Sequence, residues 1–257
     1  MLIAGLTLTL TAVAGCQSAR PPERPADHPA TASPARGPGQ SAPAFVAKAP
    51  VSCPAAPYGA QRFAPGVSKT VALTFDDGPG RSTLALLDVL ARERVPATFF
   101  NIGAAMATRP YLVRDEVEQG YAMGNHSWDH PHLTTLPAAR QGAELSQASA
   151  EQRSIAGTDP CAFRPPYGEY DPTTLRLAQQ RRMSVWLWSV DTLDWTSNGS
   201  GSPYWVQRIT RLAESGAALR HPILLMHDPR AGDPATVAAL PAIIEFYRAH
   251  GYRFVAL

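Results

Sequence analysis

The run Val71-Ala72-Leu73-Thr74-Phe75 is short and apolar, and Asp76-Asp77-Gly78-Pro79 stops it with a turn signal. Ser82 is placed to cap the amphipathic stretch that follows, Thr83 to Arg92, where Leu84, Leu87 and Leu90 recur at helical spacing. The same strand-then-helix unit returns along the chain. Strand candidates are Ala97–Phe100, Tyr121–Met123, a short segment from Phe163, Ser184–Trp188, Ile223–Met226 and Phe254–Val255. Helix candidates are Pro110–Gln119, Pro137–Ile155, Pro172–Arg181, Pro203–Glu214 and Pro241–His250. Repeated βα units imply a parallel sheet with helices outside it.

Polar residues decide between an open sheet and a closed one. Asp76 and Asp77, His126 and His130, Arg164, Asp191 and Asp194, and His227 each directly follow a strand candidate. A barrel gathers the C-terminal ends of its strands at one mouth, so residues scattered along the chain would converge there. The expected fold is therefore α/β, a barrel of about seven strands with its site at that mouth.

The length and composition fit this. With 257 residues, 45% of them hydrophobic and 17% charged, the chain is neither a mini-protein nor wholly disordered. Net charge is +2, and segment 17–50 carries that excess, leaving 19 basic against 19 acidic residues elsewhere. No phosphate-neutralising surface is legible, so no nucleic-acid partner is expected. No apolar run reaches the roughly 20 residues of a spanning helix.

The N-terminus reads as an export signal. Leu2 to Val13 suits a signal-peptide h-region, although no Lys or Arg precedes it. Val13-Ala14-Gly15-Cys16 then resembles a bacterial lipobox, with Cys16 as the lipidated residue. Residues 17–50 hold eight Pro and lack hydrophobic periodicity, as a solvated tether would. The expected organisation is 1–16 signal peptide with lipobox, 17–68 tether and lead-in, and 69–257 catalytic domain. The expected location is the outer face of a bacterial membrane, lipid-anchored, or secretion. Cys53 and Cys161 then form an even pair outside the reducing cytosol and can close a disulfide, stapling the lead-in to the rim of the site; two separate thiols is the other reading.

For chemistry, adjacent acids at a strand end point to different sides, so Asp76 and Asp77 can take different roles. His126-Ser127-Trp128-Asp129-His130 spaces two imidazoles by four, which on a helical turn puts both on one face, a usual grip for Zn²⁺ or a similar ion. Two His and one carboxylate leave positions for water and substrate. His132 is off this spacing and reads as structural or rim. His227, after an apolar strand, is either a satisfied core residue or a general acid. In Arg164-Pro165-Pro166-Tyr167-Gly168 neither proline can donate, so the next free backbone N–H is that of Tyr167, a candidate oxyanion donor.

Together, Thr74-Phe75-Asp76-Asp77-Gly78-Pro79, His126-Ser127-x-x-His130, Arg164-Pro165-Pro166-Tyr167-Gly168, Asp191-x-x-Asp194-Trp195 and Leu225-Met226-His227 resemble, in order, the five motifs of the polysaccharide deacetylases (NodB homology, carbohydrate esterase family 4). The resemblance implies a distorted (β/α) barrel and a divalent metal, zinc first, with cobalt, nickel or manganese as alternatives. It implies metal ligation by Asp77, His126 and His130, with Asp76 as base and His227 as acid. Arg164 would orient Asp76, Asp194 would tune His227, and the Tyr167 N–H would stabilise the oxyanion, with Tyr167 and Trp195 meeting substrate. The implied activity is removal of acetyl groups from N-acetylglucosamine polymers, peptidoglycan foremost because of the anchor. An O-acetyl xylan esterase with the same site, or a non-catalytic glycan-binding lipoprotein, is the alternative. An acetylated polysaccharide and the membrane are the expected partners, and a monomer the expected state.

Overall fold

The structure is a computed structural model that describes residues 53, 55–229 and 231–257. The signal peptide, Cys16 and most of the tether lie outside the described residues. In chain order the elements are β1 (Ala60–Gln61), β2 (Thr70–Gly78), α1 (Thr83–Glu93), β3 (Thr98–Asn101), α2 (Gly103–Thr108), α3 (Pro110–Glu118), β4 (Ala122–Asn125), α4 (Ala138–Ala156), β5 (Ala162–Phe163), α5 (Pro172–Gln180), β6 (Ser184–Trp186), β7 (Val190–Asp191), α6 (Pro203–Glu214), β8 (Ile223–His227), α7 (Pro234–Ala249) and β9 (Arg253–Phe254).

The strands pair in the order β1-β6-β5-β4-β3-β2-β8-β7, all parallel, and β9 adds beside the start of β2. That is nine strands where about seven are legible in the sequence. The additional ones, β1 and β7, are two residues each, too short to show a period. β1 also puts part of the lead-in ahead of residue 69 into the sheet.

The run from Ser184 shows why the sheet must curl. It reads as a single strand, yet β6 stops at Trp186 and β7 starts at Val190 on the far side of the sheet, against β8. In a flat sheet the six spacings between them would measure roughly 29 Å. Four residue steps reach at most about 14 Å. Only a curled sheet, with its two ends brought round toward each other, satisfies both, and this gives the distorted barrel.

Alternation along β2 sets its two faces. Val71, Leu73 and Phe75 point outward, into a core shared with Leu86, Leu87 and Leu90 of α1 and Ile243, Ile244 and Tyr247 of α7. Ala72 packs in a separate cluster with Ile223, Trp186 and Trp188, and Thr74 and Asp76 share its inward face. In α1 the buried apolar positions are Leu86, Leu87, Val89 and Leu90, while Leu84 is exposed, so the expected stripe is rotated. Ser82 precedes α1 without a side-chain capping bond; its Oγ instead accepts the Asp233 N–H at 2.8 Å, tying α1 to α7.

Cys53 and Cys161 are joined by a disulfide. Cys161 precedes β5, so the bridge lies at the N-terminal end of that strand, beneath the site and not on its rim as the sequence suggests. Among the described residues no helix is long and apolar enough to cross a membrane.

Candidate active site at the C-terminal ends of the strands

Strict alternation would send Asp77 outward, away from Asp76. A bulge prevents this. The β2–β3 register slips between Asp76 and Gly78, and Asp77 adopts the left-handed conformation with φ 70°. Both carboxylates therefore approach the same imidazole: Asp76 Oδ2 lies 3.7 Å and Asp77 Oδ1 3.5 Å from His126 Nε2.

His126 leaves the end of β4, but His126 to His130 is an irregular loop and not the helical turn that the spacing suggests. Ser127 and His130 have φ of 64° and 63°, and local side chains hold the turn. Asn125 Oδ1 accepts the Ser127 N–H at 2.8 Å, and Ser127 Oγ accepts the His130 N–H at 3.0 Å. The result still faces the two rings toward one point, with centroids 4.9 Å apart.

One ligand atom each from Asp77, His126 and His130 lies within 4.8 Å of the others. Ligand atoms about 2.0–2.1 Å from an ion at tetrahedral angles stand about 3.4 Å apart. Asp77 Oδ1 is 3.5 Å from His126 Nε2 and 3.4 Å from His130 Nε2. These gaps are too long for good hydrogen bonds, and Asp77 Oδ1 is buried without a hydrogen-bond partner. A divalent ion fits this arrangement and would satisfy that oxygen. Charge agrees: burial opposes ionisation of Asp77, but the imidazoles of His126, His227 and His130 outweigh it and bring its pKa down to about 2. Burial and the neighbouring His126 bring His130 down to about 4, leaving it neutral and able to ligate. Burial also works against a charged His126, yet Asp76 and Asp77 raise its pKa, so a proton competes with a cation for the same Nε2.

Arg164, fully buried after β5, is a hub. Its Nη1 donates to Asp76 Oδ1 at 2.7 Å and to Thr74 Oγ1 at 2.8 Å, and its Nη2 donates to the Leu187 carbonyl at 3.1 Å. The guanidinium also lies 4.2 Å from the centre of the Phe100 ring. Asp76 Oδ1 is thereby committed, while Oδ2 faces His126.

β8 places His227 directly opposite Asp76 in register. Asp194, fully buried, accepts from His227 Nδ1 at 2.7 Å through Oδ1 and from the His227 N–H at 2.7 Å through Oδ2. Burial lowers the pKa of His227, but the Asp194 carboxylate, with Asp76 and Asp77 adding to it, outweighs this and the net value is pushed up to about 9. Thr236 Oγ1 donates to Asp194 Oδ2 at 2.7 Å, a supporting contact with no signal in the sequence. Asp191 ends β7 and caps its own turn, accepting the Leu193 N–H at 2.8 Å.

Tyr167 has φ 60° in a turn after the two prolines, and its N–H meets no acceptor among the described residues. Its exposed ring stacks on His132, with centroids 3.9 Å apart, and meets His130 edge-on at 4.5 Å. His132 is thus a rim residue, its Nδ1 2.9 Å from Glu169 Oε2. Trp195, next to Asp194, is 57% exposed. All the residues singled out after strand ends therefore meet at one mouth.

A family model described as polysaccharide deacetylase matches residues 64–186. The chain is 35% identical over 191 residues to the peptidoglycan-N-acetylglucosamine deacetylase PgdA of Listeria monocytogenes, covering 74% of this chain and 38% of that protein. It is 33% identical over 198 residues to a peptidoglycan-N-acetylglucosamine deacetylase of Bacillus cereus, covering 76% of this chain and 71% of the relative. The crystal structure of the Bc1960 peptidoglycan N-acetylglucosamine deacetylase superposes with a TM-score of 0.72 at 32% identity, over 78% of this chain and 91% of that one. The chain belongs to the polysaccharide deacetylase family. It spans well under half the length of the Listeria relative.

Proposed function

We propose that this chain is a metal-dependent hydrolase that removes acetyl groups from N-acetylglucosamine residues of a cell-wall polysaccharide, peptidoglycan foremost. What supports this most is the meeting of the Asp77–His126–His130 cluster with an Arg164-held Asp76 on one side and an Asp194-held His227 on the other. The relatives named as peptidoglycan deacetylases support the choice of polymer. Zinc is the ion we assign, because two imidazoles and one carboxylate are a usual catalytic zinc set with open positions.

Bound there, the ion would polarise the acetyl carbonyl and lower the pKa of water toward about 7. Asp76 uses its uncommitted Oδ2 to take a proton from the attacking water. The Tyr167 N–H donates to the carbonyl oxygen as charge develops on it, and such a donor is worth about 3–4 kcal/mol. An amide nitrogen leaves poorly unless protonated, so His227 delivers the proton from Nε2 while Asp194 holds Nδ1. The water oxygen bonds to the acetyl carbon, the C–N bond breaks, and acetate and a free amine result. The exposed rings of Tyr167 and Trp195 are suited to stacking on sugar. We assign Cys16 to lipid attachment, residues 17–68 to the tether and lead-in, and residues 69–257 to the catalytic domain, which would keep it beside the wall.

The test is acetate release from peptidoglycan, chito-oligosaccharides and acetyl xylan, with zinc and with chelator. N-acetylated substrates should release acetate, chelator should stop it, and Asp76→Asn should be inactive. No acetate from any N-acetylated polymer with zinc present would overturn the proposal.

A further inference from the structure

The loop between the two histidines must satisfy backbone groups that no helix or strand serves. Two of its carbonyls are taken by the start of α2: the Gly103 N–H donates to the Ser127 carbonyl at 2.9 Å and the Ala104 N–H to that of Trp128 at 2.8 Å. The amides of Ser127 and His130 are met locally, by Asn125 and Ser127. The two that remain, of Trp128 and Asp129, both donate to a single oxygen, Oε2 of Glu144, at 2.9 and 3.1 Å. Glu144 sits on α4, 14 residues beyond His130, and is 4% exposed.

We propose that Glu144 is the positioning residue of the metal centre, fixing where His130 stands and hence how tightly the divalent ion is held. The inference rests on reading Asp77, His126 and His130 as the ligands. Ser127 and His130 both hold left-handed backbone that non-glycine residues keep only where their surroundings enforce it. α2 pulls on the loop from its carbonyl side, and Glu144 is the opposing anchor on its amide side. Without it the half-buried Trp128 amide and its Asp129 neighbour lose their protein acceptor, and His130 loses its fixed reach toward Asp77. The role needs an acceptor and not a charge, so Gln in its place keeps it while Leu does not. Nothing in the sequence marks this residue, an acid in an ordinary amphipathic helix.

The test measures zinc affinity of the full chain by competition with a chelating dye, for wild type, Glu144→Gln and Glu144→Leu, with metal-free unfolding midpoints recorded beside it. Loss of an outer-shell partner typically weakens metal binding 10–100-fold. Glu144→Leu should show that loss while folded, and Glu144→Gln should stay within a few-fold of wild type. Leu binding as tightly as wild type, or Gln binding as weakly as Leu, overturns the proposal. If Glu144→Leu does not fold, Glu144→Asp, one methylene shorter, takes its place: weakened zinc binding is expected, and unchanged binding overturns. A wild type that binds no zinc is a distinct result, which removes the metal reading itself.

Discussion

His126 Nδ1 lies 2.7 Å from the carbonyl oxygen of Arg164. A carbonyl only accepts, so Nδ1 carries the hydrogen, and in the neutral ring Nε2 keeps its lone pair on the side of Asp77. The side chain of the same arginine holds Asp76. One residue thus orients a proposed metal ligand through its backbone and the proposed base through its guanidinium.

Arg164→Met should destabilise the fold by about 3–5 kcal/mol, because it strands the buried Asp76 carboxylate. In a urea-unfolding double-mutant cycle, Asp76→Asn should recover part of that loss. Additive costs would show that the two groups are not coupled.

The pH profile of deacetylation should fall on the alkaline side. Burial lowers the pKa of His227, but Asp194, with smaller contributions from Asp76 and Asp77, outweighs it and lifts the value from the ordinary 6.5 to about 9, and the protonated imidazole is the acid. The stabilisation from this pair is complete below about 6.5 and is lost as pH rises through about 9, and activity should follow the same loss of the proton. A cation on Asp77 repels the imidazolium, so with metal the limb lies at or below that value. A limb that persists unchanged in Asp194→Asn would refute the assignment.

His227→Ala should slow cleavage of an N-acetyl substrate by about 10²–10⁴-fold. An ester leaves more readily than an amide, so an O-acetyl substrate should lose less. Parallel rate measurements on both substrates decide this, and equal losses would remove the role of proton donor.

Zinc at 100 times its dissociation constant should stabilise the protein by about 2.7 kcal/mol. Asp77→Ala should abolish that increment in thermal unfolding, because it removes the oxygen shared by both imidazoles.

Cys53→Ser should lower stability by up to about 4–5 kcal/mol, since the bridge closes a 108-residue separation. The bridge lies at the N-terminal end of β5, so zinc affinity of the folded variant should be unchanged. A lost zinc site in that variant would link the disulfide to the metal centre.

Much of this was legible in the sequence because it is local. Apolar runs ending in turn residues mark strands, periodic leucines mark α1, and the placing of acids and histidines after strands implies their convergence. Even there the i, i+4 spacing of His126 and His130 suggests a helical turn, because spacing alone does not report that Asn125 and Ser127 capture the loop amides.

By itself, then, the amino-acid order determined the βα repeat and which residue types stand at the strand ends. Tertiary structure alone decided the bulge that turns Asp77 beside Asp76, the curl that sends β7 across to β8, and the recruitment of Glu144 and Thr236. The physical reason is range. Strand and helix signals are set by neighbours a few residues apart, whereas register slips, closure and supporting hydrogen bonds depend on groups brought together only when the whole sheet has formed.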